Sequence, residues 1–205
     1  MTIKHINRRG DIYYLHEGKT KKGNPMYYFS MKKDGVLVNT IPKGYEIYEN
    51  PNAQVFLRMI PPKIIADEEI ATVEKGIKKY SELKDFKIDV RKNEISVYLP
   101  DKNTDQLKQM KDDILSVPEH RSPEDINKIE RILNRSVRYD PGIRFVLIDK
   151  KTREFKVEKF YISSLWNALL GSKDKRAYLD SSRNLAELVK KYAPHPGKES
   201  FFELP

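Results

Sequence analysis

The stretch Asp11–Met31, DIYYLHEGKTKKGNPMYYFSM, decides how the chain begins to fold. Two runs of β-forming residues, Asp11–His16 and Met26–Met31, lie on either side of a segment rich in turn-forming residues, Gly18–Pro25. Strand, turn and strand in this order are typical of an antiparallel β-hairpin. The sequence therefore predicts a hairpin near the start of the chain.

Short strands continue after this hairpin. Asp34-Gly35 and Asn50-Pro-Asn52 are turn signals, and both are followed by residues with high β propensity. Pro61-Pro62 ends the series, because proline neither donates to a β ladder nor fits a helix interior. We therefore expect residues 1–62 to form a small basic antiparallel β module. The further predicted strands are Val36–Val38, Tyr45–Glu49 and Gln54–Met59.

The chain after residue 62 alternates between helical and β patterns. Apolar residues recur on one helical face from Ala66 to Tyr80. Ser122-Pro-Glu-Asp combines an N-cap residue, a proline at the first helical position and two acids in the first turn. We predict an α+β domain over residues 63–205, with flanking helices, a C-terminal helix and a tail. Its two hairpins are predicted at Phe86–Leu99 and Ile143–Ile162, and a short helix is predicted at Ser163–Gly171.

The order helix, hairpin and helix occurs twice, at residues 66–116 and 123–170. Residue identity between the two copies is slight. The pattern therefore fits either an internal helix-hairpin-helix duplication or a chance succession of similar α+β segments. In a duplication, we expect the two hairpins to join in one antiparallel sheet.

Charge and composition restrict the classes of function. The 39 Lys and Arg residues against 30 Asp and Glu residues give a net charge of +9, which favours polyanions such as nucleic acid. Residues 1–62 contain ten basic and five acidic residues, so over half of the excess lies in the first third. The absence of cysteine excludes disulfides and thiolate zinc sites, and no apolar run is long enough for a membrane helix. We expect a cytoplasmic protein with no membrane partner and no cofactor.

Residues 18–33, which we call the basic hairpin, are the best candidate contact surface. They contain five lysines and no acidic residue, with aromatic residues between them. Lysines neutralise phosphates, and aromatic rings on a strand offer flat faces on which bases stack. The same sequence pattern also fits a solvated turn whose aromatic residues pack in the core. The predicted nucleic-acid-binding residues are Lys19, Lys21, Lys22, Tyr27, Tyr28, Lys32 and Lys33, with Arg8 and Arg9 adding charge from a flexible lead.

Two alternatives to nucleic-acid binding follow from other residues. The tail Phe201-Phe202 and the hairpin aromatics would also suit a protein–protein interaction adaptor. Asp140, Glu154 and Lys156 have the loose spacing of a metal-dependent nuclease, in which carboxylates hold Mg²⁺. The sequence reads Asp-Pro at Asp140 where that pattern has Pro-Asp, and such a match is frequent in a chain rich in charge.

The histidines do not indicate a metal centre, because none has the spacing of a histidine metal motif. His16-Glu17 could act as an acid–base pair, but at a predicted strand end it is more typical of a surface pair. We therefore expect neither a catalytic residue nor a metal site.

Long runs starting at Tyr14 (YLHEGKTKKGNP) and at Ile41 (IPKGYEIYENPNAQVFLR) resemble an uncharacterised bacterial protein family. The resemblance implies a bacterial origin. It implies no activity, because that family has no assigned one, and no functional residue is carried over from it. From the residues themselves, we predict a non-catalytic nucleic-acid-binding protein that uses the basic hairpin.

Overall fold

A computed structural model describes residues 2–102, 104–117, 122–160 and 176–204. Within these ranges the chain forms eleven strands, all in antiparallel sheets, and five helices, which confirms the predicted α+β class. The chain divides into two compact units. The first unit consists of Met1–Pro61 and Asp105–Arg138, and the second consists of Pro62–Thr104 and Tyr139–Pro205.

The first unit contains a four-stranded sheet and a separate two-stranded ribbon. In the sheet, β2 is central and pairs with the other three strands. Leu15 of β2 is fully buried, and Ala53 and Val55 of the ribbon are also buried. The sheet strands are β1 (Lys4–Ile6), β2 (Ile12–Lys19), β3 (Pro25–Ser30) and β4 (Val36–Leu37), and the ribbon strands are β5 (Tyr45–Glu49) and β6 (Val55–Met59).

Two helices belong to the first unit, α2 (Thr104–Ser116) from its second residue onward and α3 (Pro123–Ser136). The start of α3 is the predicted one, because the Ser122 hydroxyl accepts a hydrogen bond from the Asp125 backbone N–H at 3.1 Å. Arg135 of α3 pairs with Asp11. This pair joins residues more than a hundred positions apart, and it ties α3 to the N-terminal segment.

The second unit contains a five-stranded antiparallel sheet in the order β11-β10-β9-β8-β7. The two hairpins predicted from sequence, β7–β8 and β9–β10, lie side by side in it, joined through β8 and β9. The strands are β7 (Lys87–Arg91), β8 (Glu94–Pro100), β9 (Tyr139–Asp149), β10 (Glu154–Phe160) and β11 (Arg176–Ser182).

Helices cover one face of this sheet. The helices are α1 (Asp67–Tyr80), α4 (Leu185–Tyr192) and α5 (Ser200–Glu203). Val73 and Ile77 of α1 and Val189 of α4 belong to the same buried cluster as Phe145 and Phe155 of the sheet. The apolar period of α1 therefore forms the core contact that the sequence predicts. Each strand places its alternate residues on the opposite sheet face.

The opposite face of the same sheet carries a polar row. The register places Asp89, Ser96, Arg144, Glu158 and Tyr178 directly across from one another on the five successive strands. All except Tyr178 are buried. An ordinary amphipathic sheet exposes its polar face to solvent. Here the charged groups of the polar row are buried, and they must therefore be paired within the protein.

The two compact units do not follow the order of the segments along the chain. The predicted division into residues 1–62 and 63–205 stays a prediction, but the packing places 105–138 with the N-terminal segment. The internal duplication also stays a prediction. The helices that begin its two copies, α1 and α3, belong to different units. The predicted helix Ser163–Gly171 lies outside the described residues. No helix within the described ranges is both long and apolar enough to cross a membrane.

Candidate nucleic-acid interface

The predicted hairpin is formed by β2 and β3, and a tight turn closes it. The Thr20 backbone N–H donates to the Asn24 carbonyl at 2.8 Å, and the Gly23 N–H donates to the Thr20 carbonyl at 2.9 Å. Gly23 has a φ angle of +83°, a left-handed conformation that favours glycine. Lys21 and Lys22 lie in this turn and are exposed. The turn chemistry therefore presents two of the predicted lysines to solvent.

Residues 31–35, which we call the crossover segment, pass over one face of the first sheet. At His16, β3 occupies one edge of β2, so β4 must pair along the other edge. The segment crosses on the face that carries the His16 side chain. His16 Nε2 donates to the Lys32 carbonyl at 2.9 Å, and a Cβ atom on Gly35 would lie 3.6 Å from His16 Nδ1. The crossover segment therefore covers His16.

His16 is buried, with 1% of its surface exposed. The interpretation of His16 and Glu17 as a surface pair is therefore wrong. A carbonyl oxygen only accepts hydrogen bonds, so the bond to the Lys32 carbonyl places the proton on Nε2. Among the described residues, Nδ1 has no hydrogen-bond partner. The ring is held by the crossover segment on one side and by an aromatic neighbour on the other.

That neighbour is Tyr28, directly across from His16 on β3. The two ring centroids are 5.3 Å apart and the rings are 12° from parallel. Tyr28 also leans over Gly18, where a Cβ atom would lie 3.2 Å from Tyr28 Cε1. Even so, 43% of Tyr28 is exposed. Tyr27 is half-buried on the other face, opposite Glu17.

The five predicted lysines are all exposed, but they do not share one strand face. Lys19 alternates onto the face of Tyr27, whereas the Lys33 ammonium lies 5.4 Å from the centroid of the Tyr14 ring, on the face of Tyr28. Within the part of the chain that the structure describes, none of the five takes part in an ion pair. The exposed lysines are Lys19, Lys21, Lys22, Lys32 and Lys33.

The arginines of the N-terminal region do not join this surface. The expectation that Arg8 and Arg9 lie in a flexible lead is wrong. Both residues lie in the connection between β1 and β2, and both make hydrogen bonds there. Arg8 Nε donates to Glu49 Oε1 at 2.6 Å, and Arg9 donates to the Val137 carbonyl at 2.6 Å. Arg58 pairs with Glu46 at 2.8 Å. These three arginines are therefore engaged in bonds, whereas the five lysines of the basic hairpin form no ion pair with a described residue.

Glu49 anchors the first strand of the sheet to the ribbon. Its carboxylate accepts hydrogen bonds from the backbone and side chain of Arg8, and it lies 3.3 Å from His5 Nε2. Burial alone would raise the pKa of Glu49, but the hydrogen bonds from Arg8 and His5 lower this pKa below its ordinary value. Glu49 is thus an ionised structural partner that fixes β1 and the β1–β2 connection to the ribbon.

The residues of the nuclease alternative are not brought together. Asp140 lies near the start of β9 and pairs with Leu99, whereas Glu154 pairs with Asp149 at the far end of β9. Nine residues of extended strand separate these ends by about 30 Å. Lys156 is bonded to Glu158 at 2.6 Å. No group of three or more acidic or histidine side chains in the described ranges is arranged to hold a metal ion.

Two members of the buried polar row, Arg144 and Glu158, form an ion-pair network with Glu94 and Lys156. Arg144 donates to Glu158 at 2.6 Å and to Glu94 at 2.8 Å, while Lys156 binds the other oxygen of Glu158. Burial alone would raise the pKa of Glu158, but the hydrogen bonds from Lys156 and Arg144 lower this pKa below its ordinary value. Each charged group of this network has a partner within the sheet. The network therefore has the geometry of an interaction that stabilises the fold.

The C-terminal tail separates its two phenylalanines. Phe201 is buried in the core of the second unit, whereas Phe202 is exposed. The Lys159 ammonium donates to the carbonyls of Phe201 and Leu204, and desolvation lowers the pKa of Lys159. Only Phe202 of this pair is therefore available to a partner.

The role of His16 is missed by reasoning from sequence. The register of the hairpin could have indicated it, because a turn that pairs Lys19 with Pro25 also pairs His16 with Tyr28. Comparisons of the chain with protein-family models, with curated proteins and with solved structures find no match. The resemblance suggested by the runs at Tyr14 and Ile41 therefore stays a prediction.

Proposed function

We propose that this protein binds nucleic acid through its basic hairpin and catalyses no reaction. The observation that carries the proposal is the set of five exposed lysines, which have no ion pair with any described residue and lie in the segment that also exposes Tyr28. Unpaired ammonium groups are free to neutralise phosphates, and an exposed tyrosine ring can stack on a base.

The division of the lysines between two faces refines this proposal. Lys21 and Lys22 project from the turn, where they can reach phosphates from either face of the hairpin. Lys33 lies on the face of Tyr28, whereas Lys19 lies with Glu17, whose carboxylate repels phosphate. We therefore assign the main contact to the turn and to the face of Tyr28, and a smaller one to Tyr27.

A triple charge reversal tests the proposal. The variant K19E/K21E/K22E is compared with K75E/K150E/K151E, which reverses three exposed lysines of the second unit. Each reversal changes the charge by two, so both variants have a net charge of +3 instead of +9. We expect the hairpin variant to lose at least about tenfold in affinity for a fluorescent oligonucleotide at about 50 mM salt, and the control variant to lose much less.

Two results contradict the proposal. One is an absence of binding to both DNA and RNA at about 50 mM salt, where phosphate contacts are strongest. The other is an equal loss of affinity in both triple variants, which would mean that binding depends on net charge alone and not on the hairpin.

A protein–protein adaptor remains the second candidate, because apolar side chains are exposed around the same hairpin. Met26, Met31 and Val36 are all exposed, and Phe202 offers a further apolar contact in the other unit. Apolar contacts persist at high salt, whereas phosphate contacts weaken. Binding to a protein partner that survives nuclease treatment and about 1 M salt, and that M31E or V36E abolishes, would favour this candidate.

A further inference from the structure

The Tyr28 ring is fixed on the surface before any ligand arrives. His16 covers one face of the ring, and Gly18 leaves room for the ring edge to lie against β2. His16 is itself held by its bond to the Lys32 carbonyl. Because these contacts restrict the rotamers of Tyr28, little side-chain entropy is left to lose when a second ring stacks on it.

The open side of the Tyr28 ring is the side that His16 does not cover. β3 forms a ladder only with β2 and also contacts β6 of the ribbon, and His16 lies on the inner side of the Tyr28 ring. The exposed 43% of Tyr28 therefore belongs to the ring face and edge that His16 leaves uncovered. A flat aromatic ligand placed there would extend the stack that His16 and Tyr28 begin.

We infer that the ligand of this surface is single-stranded nucleic acid, with one unpaired base stacked on Tyr28. The inference rests on the proposed function. A base inside a duplex is already stacked on both sides, so its flat face is not available to a tyrosine. In a single strand the bases can be splayed out and stacked on aromatic side chains.

The width of the sheet argues against a duplex groove as the binding site of Tyr28. At the level of Tyr28, β3, β2 and β4 lie side by side, and three strands with their backbones span about 15 Å. The major groove of DNA is about 12 Å wide and admits a two-stranded ribbon. The crossover segment adds further height on this face. Only the hairpin turn projects as two strands, and it carries lysines without an exposed tyrosine.

A net positive charge on the same face fits the backbone of a single strand, because the crossover segment carries two lysines and one acid, Asp34. Lys32 and Lys33 belong to the crossover segment, which covers His16, and both side chains are exposed. Tyr27, by contrast, is half-buried opposite Glu17 on the other face. The structure therefore predicts that the two adjacent tyrosines respond differently to substitution, which supplies a matched control.

The test compares a labelled single strand of about 15 thymidines with a duplex of equal length, by fluorescence anisotropy. We expect the single strand to bind more tightly. Y28L should weaken single-strand binding by about 5- to 150-fold, the range given by base stacking, and leave duplex binding unchanged. Y27L should weaken single-strand binding much less than Y28L does, and it should leave duplex binding unchanged. Far-ultraviolet circular dichroism checks that each variant is folded.

Y28W provides a measurement that does not depend on loss of function. The indole preserves a stacking surface, so we expect Y28W to retain affinity for the single strand. Stacked bases quench indole fluorescence, so the signal of Y28W should fall more than that of the wild type when the single strand is added.

The possible outcomes separate the inference from the proposed function. Equal affinity for single strand and duplex, with both unaffected by Y28L, overturns the inference and leaves the proposed function standing. Y28W fluorescence that does not change on binding also overturns the inference. An absence of binding to either nucleic acid removes the proposed function itself.

Discussion

Glu158 shows how a single side chain can hold a sheet together. Its carboxylate accepts hydrogen bonds from Arg144 and from Lys156, and only 7% of Glu158 and 7% of Arg144 are exposed. Removing one partner of a buried ion pair leaves the other charge without compensation. The stability of the second unit should therefore depend strongly on this carboxylate.

We predict that E158Q lowers the free energy of unfolding by about 3 kcal/mol, near the lower limit for a broken buried pair because Glu94 still neutralises Arg144. Urea denaturation measures the change. E154Q is the matched control on the same strand. Glu154 interacts with the Ser181 hydroxyl at 3.3 Å, and we expect its substitution to cost less than about 1 kcal/mol. Equal effects of the two variants would contradict a structural role for the network.

The residue scale also shows where sequence reasoning about the site stops. The exposure of Lys21 and Lys22 follows from their place in a turn, which is a local property. Which tyrosine is exposed depends instead on the pairing of His16 with Tyr28 and on the path of residues 31–35 over the sheet. The pairing of β4 with β2 sets that path. Because β4 has only two residues, its sequence pattern is too short for this pairing to be predicted.

Close contact between α1 and α4 depends on one glycine. Gly76 of α1 is buried, and a Cβ atom there would lie 2.1 Å from Val189 Cγ1 of α4. Glycine is ordinarily unfavourable in a helix by about 1 kcal/mol relative to alanine. Its presence here is explained by the need for the two helices to approach each other.

We predict that G76A destabilises the protein by about 1–2 kcal/mol, because overpacking costs more than the gain in helix propensity. Denaturant unfolding of G76A, V189A and the double variant forms a complete mutant cycle. V189A removes the clashing methyl groups, so the double variant should be more stable than the sum of the two single effects predicts. Additive effects would mean that the helices separate without strain.

At the element scale, local signals predict the helices better than the edge strands. The Ser122 cap and the apolar period of α1 act within one or two turns, and both are confirmed. β1 and β11 are not predicted by the sequence pattern. Each is an edge strand paired with one neighbour, and the polar sequence RAYLDSS of β11 has no clear alternation. Their β structure depends on pairing with distant partners, which a single sequence does not display.

The molecule as a whole carries several carboxylates that favour the ionised form. Burial alone would raise the pKa of Asp85, but the hydrogen bonds from Lys87 and Tyr139 lower it below its ordinary value. The pKa values of Glu49 and Glu158 are lowered for similar reasons. The unfolded chain therefore binds more protons than the folded protein at acid pH, and stability rises with pH in that range.

We predict that the stability these carboxylates contribute is fully present above the ordinary pKa values of 3.8 for Asp and 4.5 for Glu. It should fall as the pH drops through the lowered values. Urea denaturation from about pH 3 to pH 7 measures this dependence. The variant E49Q/D85N/E158Q should have a shallower acid slope. An unchanged slope would mean that these three groups titrate alike in both states.

The alternation of the chain between its two units has a consequence for synthesis on the ribosome. Domains that are continuous in sequence can fold one after another as they emerge. Here the first unit is incomplete until Arg138 has emerged, although the second unit has begun at Pro62. While the chain is being synthesised, both units are therefore incomplete at the same time. A fragment that ends at residue 62 lacks both helices of its own unit. The second unit is isolated only when residues 1–61 and 105–138 are both removed and Thr104 is joined to Tyr139.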